Sequence, residues 1–118
     1  MTDILTNAQK IHNKIAELEE ERDKLLPASY DKAKAISEYD KQIAITTLKL
    51  KNGLITEFEG VKISNLPATL VRDIAKGICY KECFDKEIGE SNYKAIVSIM
   101  ESIRAELNGL QSINKYLE

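Results

Sequence analysis

YKAIVSIMESIRAELNGLQSINKYL, residues 93–117, carries the most regular period in the chain. Tyr93, Ile96, Met100, Ile103, Leu107, Leu110, Asn114 and Leu117 follow one another at spacings of 3, 4, 3, 4, 3, 4 and 3. A seven-residue repeat of that kind lays one stripe along an α-helix that packs on other helices. Val97, Ile99 and Ile113 widen the stripe beyond what a two-stranded seam uses, so this helix is expected to have several neighbours. Asn114 admits two readings. In the seam it would fix register and oligomer number at a cost in stability, and at a frayed end it would face water.

Upstream, Ser91 follows Gly89 and is expected to cap this last helix. A further helix is expected from Ser64 or Asn65 onward, with Pro67 in its first turn and Leu70, Val71, Ile74 and Ile78 on its buried face. Phe84 and Ile88 continue its apolar pattern. Gly77 interrupts it at a cost of about 1 kcal/mol relative to alanine, which predicts close packing or a bend there. Between Leu54 and Asn65 the period changes, with Ile55, Phe58, Val61 and Ile63 around Glu59-Gly60. This joint reads equally as a β-hairpin or a loop, and a lone hairpin must pack on something to persist.

The first 53 residues read as a long antiparallel αα-hairpin. Ile4, Ala8, Ile11, Ile15, Leu18, Arg22 and Leu25 form a heptad stripe. Pro27 is expected to stop that helix, because it lacks an N–H and crowds the preceding turn. A second helix would carry Ile36, Tyr39, Ile43, Thr46 or Thr47, and Leu50 on its apolar face, supported by Ala33 and Ala44, and end at Asn52-Gly53. The fold class is therefore mainly all-α: a single domain, 1–118, made of an αα-hairpin (1–53), a joint (54–65) and a two-helix part (66–118), a coiled-coil-like helical bundle.

Composition narrows the chemistry. Seventeen Lys and Arg oppose 19 Asp and Glu, evenly along the chain, so a nucleic-acid surface is disfavoured. A single-stranded nucleic acid factor would have only Tyr30 and Tyr39 as stacking platforms near the lysines of the second helix. No segment has the ~20 apolar residues of a membrane span, and no signal peptide is recognised, so a cytoplasmic location is expected. Cys79 and Cys83 are then expected as reduced thiols filling small spaces; with the one histidine, His12, on a distant helix they do not make a zinc site. No nucleophile–base pair, phosphate loop or metal-ligand cluster is visible, which argues against an enzyme and against a cofactor. Arg72, Lys76 and Tyr80 fall at i, i+4 and i+8, so one helix face offers two cations and a ring to a nucleotide-type ligand. A solvated basic edge is the plainer reading of the same residues.

Tyr93-Lys94, Ser98 and Arg104-Ala105-Glu106-Leu107-Asn108-Gly109-Leu110-Gln111-Ser112, together with Glu59-Gly60, Pro67-Ala68 and Ala75-Lys76-Gly77, resemble small helical proteins encoded by tailed phages and prophages of Gram-positive bacteria. Fourteen Lys against 3 Arg, with 15 Ile, fit an AT-rich genome of that kind. The resemblance covers the second half of the chain and implies a role near replication and recombination genes or genes that blunt host defences.

These readings converge on a non-catalytic protein that docks helices onto a host or phage macromolecule, with a nucleotide-sequestering helical oligomer as the alternative. A hairpin roughly 35 Å long outruns the diameter of a compact domain of this size, about 27 Å. A homo-oligomer, a dimer first of all, is therefore expected, with the stripe Tyr93, Ile96, Met100, Ile103, Leu107, Leu110, Asn114 and Leu117 as the oligomer or partner interface.

Overall fold

The computed structural model describes residues 2–117. Its elements in chain order are α1 (Thr2–Lys51), β1 (Glu57–Phe58), β2 (Val61–Lys62), α2 (Ala68–Ile78) and α3 (Tyr80–Leu117). The mainly α-helical class holds, but the αα-hairpin over 1–53 does not. Residues 2–51 form one helix, with Pro27 inside it. Pro27 removes the hydrogen bond to the carbonyl of Asp23. Both residues are exposed, so water can take that carbonyl. The half-buried positions Leu18, Glu21, Leu25, Ala28, Lys32 and Ala35 keep their 3-and-4 spacing straight through the proline. Tertiary packing on both sides outweighs one missing bond.

That same spacing corrects the N-terminal stripe. Ile4, Ile11, Leu18 and Leu25 are half-buried as expected, whereas Ala8, Ile15 and Arg22 are exposed and Asn7, Lys14 and Glu21 take the second inward column. Lys14 and Glu21 manage this by burying their stems while their heads reach Glu106 and Lys24 respectively.

The end of α1 follows from Asn52-Gly53. Gly53 adopts φ +70°, Leu54 N–H donates to the Lys49 carbonyl (2.9 Å) and Gly53 N–H to that of Leu50 (3.3 Å). This is a Schellman motif, which needs a residue at home in the left-handed region. The joint resolves into a hairpin. Glu57 pairs with Lys62 and Phe58 with Val61, and the two linking residues, Glu59 and Gly60, sit at φ 50° and 79°. Positive φ at both positions is the type I′ turn, whose twist matches the strands. Ile63 N–H adds a bond to the Thr56 carbonyl at 2.8 Å.

Helix α2 starts at Ala68, with Pro67 as its cap residue rather than its first turn. Gly77 is explained by close packing: a Cβ there would lie 3.1 Å from the Phe58 ring. The break between helices falls at Cys79, not at Gly89–Ser91. Gly89 lies inside α3, and a Cβ on it would come within 3.2 Å of the Lys32 Cα. Its role is to let two backbones approach, not to end a helix.

The chain divides into two compact units. In the first, the part of α1 up to Tyr30 packs antiparallel on the part of α3 from Ser91, with Met100 and Ile103 as its most buried apolar residues. The second unit, Asp31–Glu90, holds the rest of α1, the hairpin, α2 and the start of α3. Its core is Leu50, Val71 and Ala75, flanked by Ile43, Ile55, Ile63, Leu66, Ile74 and Ile78. Tyr39 and Thr46 are buried there too, as the apolar face of α1 requires, while Ala33 and Ala44 are exposed.

Candidate protein-docking face

Residues four apart on a helix form a ridge, inclined to its axis, of the kind that packs into grooves. Tyr80, Phe84 and Ile88 make such a row at the start of α3, and Arg72 and Lys76 stand four apart on the preceding α2, all within the second unit. Every one of the five is exposed. The helix is interrupted at Cys79, whose backbone sits at φ −90° and ψ 30°, so Arg72 and Lys76 belong to α2 and Tyr80, Phe84 and Ile88 to α3. Cys79 N–H donates to the Ala75 carbonyl at the end of α2, and Cys83 N–H to the Cys79 carbonyl at the start of α3, each at 3.0 Å.

The apolar side chains of the row are uncovered. Tyr80 is 60% exposed, Phe84 64% and Ile88 45%. Exposed single hydrophobes are ordinary, but two aromatics and an isoleucine at successive i+4 positions make a patch. Arg72 and Lys76 are exposed cations on the preceding α2, and Lys81 lies 6.0 Å from the Tyr80 ring centroid. The sequence reading placed Arg72, Lys76 and Tyr80 on one face of one helix; the structure leaves all three exposed but sets the break at Cys79 between Lys76 and Tyr80. It missed Phe84 and Ile88, which the apolar pattern had assigned to a buried face. The i+4 spacing from Tyr80 to Ile88 was the available signal.

Behind the ridge the packing is polar and specific. Thr46 Oγ1 lies 3.3 Å from Cys79 Sγ, both buried. Cys79 and Cys83 are free thiols, buried and half-buried. The Lys86 ammonium sits 4.7 Å from the Tyr39 ring centroid. Burial pushes the Tyr39 phenol above its ordinary pKa; Cys83 adds to this and Lys86 opposes it. Among the described residues, no group of three or more His, Cys, Asp or Glu is placed to hold a metal ion, and no helix is long and apolar enough to cross a membrane.

Two grooves lie elsewhere in this unit. One of about 230 Å³ is lined by Asp31, Lys34, Ala35, Glu38, Glu82 and Asp85. Another, about 500 Å³, opens under the hairpin and involves Ile55, Ile63, Leu66 and Val71. Arg72, Lys76 and Tyr80 line neither.

The Tyr93–Leu117 stripe is used within the chain itself. Met100 and Ile103 are buried, Tyr93, Ile96, Leu107, Leu110 and Asn114 are half-buried, and Leu117 is exposed. Met100 and Ile103 thus serve the packing of the first unit, in which α3 runs beside α1. Asn114 keeps a seam position, with Oδ1 buried and without a hydrogen-bond partner. Comparison of the chain with protein-family models, curated proteins and solved structures finds no match.

Proposed function

We propose that this chain is a non-catalytic interaction protein that docks the Tyr80–Phe84–Ile88 ridge into an apolar groove with an acidic rim on a partner protein. The exposure of those three side chains at consecutive i+4 positions is the observation that carries the reading. Anchors at this spacing are how an amphipathic helix enters a groove. Aromatic side chains and Arg supply most of the affinity in such contacts, and covering each large apolar side chain contributes about 2 kcal/mol before ordering costs. Arg72 and Lys76 would set orientation and on-rate through the acidic rim. The resemblance to phage proteins directs the search to a host or phage protein of defence, replication or recombination. The nucleotide alternative has less support, since Arg72, Lys76 and Tyr80 line no groove described above.

Affinity capture from a Gram-positive bacterial lysate tests the proposal, comparing wild type with Phe84→Asp. Phe84 is exposed, so the variant should fold with an unchanged circular-dichroism spectrum. The expected outcome is a protein retained by wild type and lost with Phe84→Asp. Equal recovery by both, or recovery of the chain alone at every salt concentration, would overturn it.

A further inference from the structure

We infer that a second copy of the chain binds along the outer face of α3, antiparallel, with its two-fold centre at Arg104. This face is distinct from the docking ridge and from the buried stripe. It is a second heptad row, Asn92, Ala95, Ile99, Ser102, Glu106, Gly109, Ile113 and Tyr116, at spacings 3, 4, 3, 4, 3, 4 and 3, and every member is exposed. It lies within the first unit.

Gly109 is the first argument. Glycine inside a helix is unfavourable, and at Gly77 and Gly89 the fold supplies the reason, a ring and a backbone pressed close. At Gly109 it supplies none: a Cβ there meets nothing within 4 Å. Beside it, Lys10, Asn13, Lys14 and Glu17 of α1 and Leu110 and Ile113 of α3 border an open groove of about 480 Å³. The glycine makes room for something outside the chain.

Register is the second. Turning α3 about a two-fold at Arg104 sets residue n against 208 − n, by arithmetic on the sequence. Ile99 then faces Gly109 and Ile113 faces Ala95, each large side chain over a small one. The Ser102 hydroxyl can donate to the Glu106 carboxylate, which also holds Lys14 in its own chain, and Asn92 meets Tyr116. All four pairings occur twice, as an isologous interface requires. Shifting by one heptad toward the C-terminus sets Glu106 on Gly109, shifting the other way sets it on Ala95, and a parallel two-fold sets Glu106 on Glu106. Each loses the fit.

Area is the third. From Asn92 to Tyr116 the face runs about 36 Å. Two copies laid along it cover on the order of 1,000–1,200 Å² in total, the lower edge of specific interfaces and suited to a reversible dimer. Ile113 and Tyr116, 52% and 94% exposed, supply much of it.

Sedimentation equilibrium of the full chain from 1 to 200 μM, on wild type, Gly109→Ile and the double variant Ile99→Ala/Gly109→Ile, tests this. Wild type is expected as a reversible dimer. Gly109→Ile should weaken it at least tenfold while keeping or raising helix content, since isoleucine is the better helix former. The double variant restores a small residue opposite the large one and should recover dimerisation. A wild type that stays monomeric at 200 μM, an unaffected Gly109→Ile, or a double variant no better than the single would each overturn the inference. These variants leave Phe84 untouched, so partner capture and dimerisation fail independently.

Discussion

Replacing Pro27 with alanine should stabilise the protein. Proline in a helix interior costs about 3 kcal/mol relative to alanine, through the lost bond and the crowded preceding turn. Here the freed carbonyl belongs to Asp23, on the solvent side of α1, so hydration recovers part of that loss. Proline also stiffens the unfolded chain, which alanine gives up at about 0.4–1 kcal/mol. The net gain is about 2 kcal/mol, or some 6–10 °C in melting midpoint for a chain of this size. Urea unfolding of wild type and Pro27→Ala, followed by circular dichroism at one protein concentration, measures it; a higher midpoint at equal slope is expected. Were Pro27 at the bend of an αα-hairpin, its fixed φ would suit the turn and alanine would lower stability. An unchanged or lower midpoint would therefore refute the continuous helix.

Other substitutions probe the packing. Gly89→Ala should lose about 1 kcal/mol in urea unfolding despite its better helix propensity, because its Cβ meets the Lys32 backbone, which cannot swing aside. A gain in stability would contradict the close approach. Glu59→Asn should gain about 0.5–1 kcal/mol in the same assay, since Glu59 holds φ 50° in a type I′ turn that asparagine tolerates better. At high pH the fold favours the neutral Tyr39 phenol, so its contribution is complete below about pH 10 and is lost as pH rises through the raised folded value. Unfolding midpoints from pH 8 to 11.5 should fall less steeply for Tyr39→Phe than for wild type; equal slopes would exclude Tyr39 as a source of the alkaline loss.

The parts legible in the sequence were those where local chemistry and tertiary packing agree. Gly53 ends α1 because that end needs a left-handed backbone, which Asn52-Gly53 signals locally, whereas the joint around Glu59-Gly60 stayed open between hairpin and loop until the structure showed the turn. The helix boundaries at Pro27 and Gly89 were misread because both residues are ordinarily breakers. At Pro27 packing on either side overrides the lost bond, and at Gly89 the missing side chain serves the neighbouring backbone. The α3 seam was visible as a heptad, and Met100 and Ile103 in it are buried in the first unit. The exposed row on α3 was half visible, because Tyr80 is amphipathic and reads as surface, whereas Phe84 and Ile88 look like core until the structure leaves them uncovered.

The most direct test of the account is hydroxyl-radical footprinting of the chain alone and in its captured complex. Tyr80 and Phe84 are exposed and react readily with hydroxyl radicals. The account predicts that both are protected in the complex, with Leu26 and Leu48 still labelled. Unchanged labelling of Tyr80 and Phe84, with protection elsewhere, would contradict it.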